Sequence, residues 1–322
     1  MNSFTSSFKT EAKVIAVVLV ALLTCELVLR KFESSLSLDL KHIREIPRLA
    51  NELAQSEKMR ILFLGNSFTR ISVEPDIFVE EMKLHGFNNL AVQRVFPDGT
   101  QLNEWYYTFK NSFVEPGLAP DLLVILTGRA HLQDQTINPS VFGAYFSNIS
   151  DVGNFLRNSD KNLDDKMEFL LARYFAVCAN RHRIEPRVFS QIIPHYQNCI
   201  QRINEERLRN PANPRRRREP EYKRLEQLLK LGEKNSVPIV FATVPMTHSY
   251  TVSPKVAQLI ADHKMTFIEA NKIEGLDASH FPDGYHIDHA GAAKYTRTLA
   301  AEFAKIFEAN PAFHKARSIS VE

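Results

Sequence analysis

The sequence predicts an α/β protein. The expected architecture is a three-layer α/β/α fold around an open, mostly parallel five-stranded sheet, with an N-terminal membrane helix and a helical insertion. Three observations lead there. Runs of strand length, such as Asp121 to Thr127, are apolar without alternation, as strands covered on both faces are. Between them lie segments with apolar residues three and four apart, the helical period. Strand and helix signals then alternate along the chain, which builds parallel βαβ units rather than hairpins.

Taken in order, the first element is the uncharged stretch from Val14 to Cys25, which resumes after Glu26 with Leu27-Val28-Leu29. At about 1.5 Å per residue this run is shorter than a hydrocarbon core of about 30 Å, so spanning requires thinning of the bilayer or snorkelling of Glu26, Arg30 and Lys31. A cleaved signal peptide is the rival reading. No Ala-x-Ala site follows, however, and Thr24 before Cys25 suits lipoprotein processing poorly, so residues 1–34 read as a signal anchor. Residues 40–55 carry Ile43, Ile46, Leu49 and Leu53 at helical spacing. Strands are expected at 60–64, 89–95 and 121–127, with helices at about 75–86 and 101–110 between them.

From about 131 to 218 strand signals stop and helical periodicity takes over, in Lys166 to Ala179 and Val188 to Arg207, within the domain spanning 35–322. Alternation resumes with a helix at 219–235, a strand at 238–243, a helix at 253–263 and a strand at 265–269. A loop over 270–289 leads into a last helix at about 290–307. In such sheets ligands sit outside the carboxyl ends of the strands.

Forty basic against 37 acidic residues leave a net charge of +3, too balanced for a protein that grips nucleic acid through a basic face. The one dense basic run, Arg215 to Arg218, lies among prolines and asparagines and reads as a solvated loop, with anionic lipid headgroups as the alternative contact. Three cysteines, Cys25, Cys178 and Cys199, cannot make a disulfide framework, although the latter two can pair in an oxidising compartment.

Chemistry concentrates at two places. Ser67 follows the first strand in Leu64-Gly65-Asn66-Ser67, where a helix N-cap is its ordinary role and a nucleophile its functional one. Near the other end, Asp283-Gly284-Tyr285-His286 sets an acid three residues before a histidine, just ahead of the last helix, so one short loop can supply both a base and the group that orients it.

Together these stretches resemble the SGNH/GDSL hydrolase superfamily, whose first block is a strand ending Gly-Asp/Asn-Ser and whose last is Asp-x-x-His-x-x-x-x-Gly, here Asp283 to Gly291. The resemblance covers about 60–130 and 220–308 and implies a flavodoxin-like SGNH fold. By it, Ser67 is the nucleophile, His286 the general base and acid, and Asp283 the carboxylate that holds the imidazole. It also implies an oxyanion hole from the backbone N–H groups of Ser67 and Gly99. One block departs from the pattern: after the third strand this chain reads Gly128-Arg129-Ala130-His131 where the family commonly has Gly-x-Asn-Asp. Arg129 and His131 are the nearest replacements for the missing asparagine, with ordinary loop polarity as the alternative.

Asn66, Arg70 and His248 are further candidate substrate contacts. Asp277 and His280 repeat the acid–histidine spacing without the following glycine and read as loop polarity.

The anchor, the insertion and the altered block resemble a membrane-anchored branch that includes the D-alanyl-lipoteichoic acid biosynthesis protein and polysaccharide O-acetylation proteins. That resemblance implies an extracytoplasmic serine esterase or O-acyltransferase acting on an envelope glycan or lipid, beside a membrane-bound O-acyltransferase as partner. It calls for no cofactor, metal or nucleic acid. Two alternatives stay open: a catalytically idle glycan-binding or scaffold domain, suggested by the missing asparagine, and a metal-assisted hydrolase using His286 and His289 with Asp283 and Asp288.

Overall fold

A computed structural model describes residues 3–158, 160–209 and 219–317 of the 322-residue chain. Arg215 to Arg218 lie outside the described residues. In chain order the elements begin with α1 (Ser3–Phe32), α2 (Leu38–Ala54), β1 (Met59–Leu64), α3 (Ser67–Ser72), α4 (Pro75–Leu84), β2 (Leu90–Val95), α5 (Leu102–Thr108) and β3 (Leu122–Thr127). The helical segment follows: α6 (Pro139–Val141), α7 (Ile149–Arg157), α8 (Leu163–Tyr174), α9 (Ala176–Ala179), α10 (Arg181–Ile192) and α11 (Tyr196–Arg209). The chain closes with α12 (Lys223–Lys234), β4 (Ile239–Thr243), α13 (Pro254–Asp262), β5 (Thr266–Ile268) and α14 (His289–Ala309). Two compact units result, Met1–Lys41 with Asn138–Glu219, and His42–Ile137 with Pro220–Glu322.

The second unit holds the sheet, in the order β2-β1-β3-β4-β5 with every pairing parallel. Because successive side chains of a strand point to opposite faces, the apolar runs supply two cores at once. Ile61, Phe63, Val124, Leu126 and Val240 belong to one, with Phe78 of α4 and Tyr295, Leu299 and Phe303 of α14. There Phe63, Phe78 and Phe303 meet at ring separations of 5.2 and 5.5 Å, the edge-on arrangement aromatic quadrupoles favour. Leu62, Leu64, Leu123, Ile125, Ile239 and Phe241 alternate to the other face and are equally buried. On that side α12 packs so closely that a Cβ on Gly232 would lie 2.8 Å from Ile239. The chain leaves β1 toward β2 and later returns to place β3 on the other side of β1. The strand order therefore reverses between β1 and β3, the point at whose carboxyl ends open α/β sheets bind ligands.

The first unit is helical. The helix α1 does not stop with the apolar run; it continues to Phe32, and the apolar span Thr10–Ser35 takes in 26 residues, which is long enough to cross a hydrocarbon core of about 30 Å. The expected thinning is therefore not required. Glu26, the acid that interrupts the apolar run, is paired: its carboxylate accepts hydrogen bonds from the backbone of Ala176 (2.7 Å) and Val177 (3.1 Å), the start of α9, and from Arg30 Nε (2.7 Å). About two turns further on, buried Glu33 accepts from Asn180 Nδ2 at 2.8 Å and from the Tyr145 hydroxyl at 2.7 Å. Cys25, Cys178 and Cys199 are free thiols.

Candidate active site

The end of β1 turns sharply. Gly65 still pairs in the sheet, its N–H donating to Val95 O at 3.1 Å, and α3 folds back over it so closely that a Cβ there would lie 2.0 Å from Thr69 Oγ1. Only glycine fits. Asn66, in extended backbone, then caps α3 by accepting from the Phe68 N–H at 3.1 Å. The capping role considered for Ser67 thus falls to its neighbour, and Ser67 becomes the first helical residue, its hydroxyl left for other work. Its backbone N–H is among those a helix start leaves without an intrahelical partner.

That hydroxyl stands 3.0 Å from His286 Nε2, and His286 Nδ1 stands 2.7 Å from Asp283 Oδ2. The second contact follows from the local turn. Gly284 takes φ +75°, a conformation costly for other residues, and brings the backbone N–H groups of Tyr285 (2.8 Å) and His286 (2.6 Å) onto Asp283 Oδ1. The His286 backbone N–H first, then its ring, then the Tyr285 N–H hold the Asp283 carboxyl far below the usual carboxylate range. A carboxylate facing Nδ1 keeps the proton of the neutral imidazole there and turns a lone pair at Nε2 toward Ser67. The turn is tied to the loop after β4, where Thr247 Oγ1 donates to Gly284 O at 2.6 Å.

The loop after β2 forms the next wall. Asn66 Nδ2 donates to Thr100 O (3.0 Å), Trp105 Nε1 to Thr100 Oγ1 (3.0 Å), and Thr100 Oγ1 to Pro97 O (2.5 Å). Gly99 is exposed at the tip of this loop. Asn66 thus serves as a strap between two loops. Arg70 pairs with Asp98 at 3.0 Å, so its guanidinium is engaged within the rim of the site.

After β3, His131 turns inward while Arg129 is exposed. Its Nδ1 accepts from the Gly128 N–H at 3.0 Å, and its ring lies 5.5 Å from Phe68 and edge-on to the buried Trp105 at 5.9 Å. The Phe68 ring is also 5.2 Å from that of His286, so the same side chain lies against both imidazoles. Burial pulls the His131 pKa down to about 4. It is neutral at pH 7, and since Nδ1 accepts, its one proton sits on Nε2. His248 is exposed on the loop after β4.

Two further histidines near the site are occupied elsewhere. His280 Nδ1 meets Asp288 at 3.1 Å, while Asp288 caps α14 through the Gly291 N–H at 2.7 Å. His289 is paired with Glu74 at 3.1 Å. Of the four side chains of the metal reading, His286 and Asp283 pair with each other while His289 and Asp288 go to other partners, and among the described residues no group of three or more His, Cys, Asp or Glu side chains gathers to hold an ion.

Two supporting residues escaped the sequence reading. His42 of α2 accepts the Phe96 N–H at 2.9 Å and stacks on that ring at 3.8 Å, steadying the loop that carries Gly99; burial lowers its pKa to about 4. Trp105 links that loop to His131. Neither has a local signal, since His42 and Phe96 are far apart in sequence and meet only through the fold.

No protein-family model matches the chain, and no curated protein matches it. Among solved structures it is similar to a lipase/acylhydrolase from Enterococcus faecalis, at 15% identity over 77% of this chain and 97% of that one, with a TM-score of 0.40. It is also similar to a variant of an acetyl xylan esterase from Geobacillus stearothermophilus, at 12% identity over 77% of this chain and 94% of the other, with a TM-score of 0.39.

Proposed function

We propose that this protein is a membrane-anchored SGNH-type serine esterase or O-acyltransferase that works through an acyl-enzyme on Ser67 and acts on an ester-bearing envelope glycan or lipid outside the cytoplasm. The observation behind the chemistry is the unbroken chain of contacts from Ser67 through His286 to Asp283. A hydroxyl is a weak nucleophile until a base takes its proton, and this geometry supplies the base in the required tautomer.

In the first half-reaction Ser67 Oγ bonds to the ester carbonyl carbon and its proton passes to His286 Nε2. The tetrahedral oxyanion collapses, and the leaving alkoxide takes that proton from His286. In the second, water or an acceptor hydroxyl gives its proton to His286, attacks the acyl-serine, and Ser67 departs with the proton restored. Asp283 stays ionised throughout and stabilises the imidazolium.

The oxyanion is met by the backbone N–H groups of Ser67 and Gly99. The place of the missing asparagine is taken by the Nε2–H of His131, a donor held neutral by burial and aligned by Gly128. The helix α1 supports the membrane setting. Half-exposed Tyr285, 5.7 Å from His286, offers a ring face suited to the C–H side of a sugar. A membrane-bound O-acyltransferase is the partner that fits an acyl relay of this kind.

Labelling purified protein with a fluorophosphonate and reading intact mass tests the proposal. A single adduct on wild type that is absent in Ser67→Ala is the expected result. Folded wild-type protein without an adduct would overturn it in favour of the idle scaffold.

A further inference from the structure

The helical unit exposes aromatic side chains whose height relative to α1 is set by hydrogen bonds. Glu26 lies within the Thr10–Ser35 span, and its carboxylate binds the backbone N–H groups of Ala176 and Val177. Arg30, one turn later, donates to Tyr174 O. Residues 174–177 are therefore level with the last turns of the apolar helix, not above them. At this level Tyr174 is 58% and Phe175 48% exposed, and α1 contributes Phe32 at 53%. Leu171, whose carbonyl accepts the Phe175 N–H, extends the patch by a turn of α8. Lys31 lies beside Phe32, its ammonium 5.8 Å from the ring.

Aromatic rings flanked by cations at the end of an apolar span match the chemistry of a bilayer interface, where the ring sits at headgroup level and the charge reaches phosphate. In water the same rings would form an exposed apolar patch. Glu26 gives the stronger argument. A carboxylate at the margin of hydrocarbon needs donors; besides Arg30 on α1 itself, those of Glu26 are the backbone N–H groups at the start of α9, so that segment lies at the same depth.

We infer that the helical unit is seated in the lipid surface beside α1, with Tyr174, Phe175 and Leu171 buried at the headgroup–acyl boundary. This rests on α1 being a membrane span, and it assigns to the insertion a binding surface for phospholipid. Seated this way, the insertion fixes α1 against rotation about its own axis, because a rotated helix would withdraw Glu26 from α9.

The full chain, reconstituted into phosphatidylcholine–phosphatidylglycerol vesicles with acyl chains brominated near the headgroup or near the methyl end, tests this. Trp105 is the sole tryptophan and is fully buried, so wild type supplies the baseline. Val18→Trp reports the span; Phe175→Trp and, as a second reporter, Tyr174→Trp report the seat. Expected are strong quenching of Val18→Trp by deep bromines, and blue-shifted emission of the 174 and 175 reporters quenched most by shallow bromines. Water-like, unquenched emission from both seat reporters, with Val18→Trp quenched, overturns the seat and leaves the anchor standing. Absence of quenching at Val18→Trp overturns the anchor and the seat together.

Discussion

One loop of this protein contains two acid–histidine pairs that do different work. In the first, Asp283 is bound by the backbone of its own turn and its partner His286 turns its far nitrogen to Ser67. In the second, Asp288 spends an oxygen capping α14, and the far nitrogen of His280 lies 3.4 Å from Lys294 Nζ. The carboxylate–imidazole contact is of similar kind in both, at 2.7 and 3.1 Å. What separates a general base from a structural link is what the second ring nitrogen meets. A hydroxyl at the carboxyl end of β1 gives the first pair the contact that the proposed general base requires; a lysine at the foot of a helix makes the second a brace.

Substitutions can break this contrast. The largest effect is expected from Ser67→Ala or His286→Ala, which should remove phosphonate labelling and bring ester hydrolysis to the assay background. Asp283→Asn should follow, with a loss of roughly 10⁴-fold in kcat, because an amide no longer enforces the Nδ1–H tautomer. The matching change at the other pair, Asp288→Asn, keeps an N-cap acceptor and should leave kcat within a few-fold; Asp288→Ala, which removes the cap, should lower the midpoint of denaturant melts with the same small effect on kcat. If Asp288→Asn proved as damaging as Asp283→Asn, the division of labour between the pairs would be wrong.

His131 sharpens the contrast from a third position. As an oxyanion donor its removal in His131→Phe should cost about 10²- to 10³-fold in kcat with KM little changed. His131→Gln, which keeps an N–H donor, should recover part of it.

The smallest effect concerns pH. His42 and His131 both have folded pKa values of about 4, below the ordinary histidine value of 6.5. The unfolded chain therefore binds protons more readily between those values. Their stabilising contribution is complete above pH 6.5 and is lost as pH falls toward 4. Chemical denaturation midpoints should drop over that window, and His42→Gln, which retains an acceptor for the Phe96 N–H, should drop less.

Much of this site could be read from residue order. The strand β1 announced itself as an apolar run, and Ser67 and His286 stood out because each lies where a strand or loop delivers residues to the active edge. Asp283 was legible for a local reason: a turn of four residues closes its contacts with Tyr285 and His286 without help from the rest of the chain. Asn66 was visible but its job was not, since its amide reaches Thr100 across two strand ends. His42 gave no sign, because its partner Phe96 meets it only through the fold, and Trp105 gave none of its contact with His131, which the sheet order brings beside it. The length of the N-terminal apolar helix was underestimated for a related reason. A hydropathy run stops at a charge, whereas a helix does not when α9 satisfies that charge.

The sequence alone determined the α/β class, the parallel sheet, the helical insertion and the acid–histidine turn, all of which depend on periodicity or on contacts within a few residues. Tertiary structure decided which histidine faces Ser67, what Asn66 and Arg70 hold, the neutral inward-facing state of His131, and the pairing of Glu26 with α9. Those outcomes depend on contacts between distant segments, whose distances and burial are set only when the strands take their places beside one another.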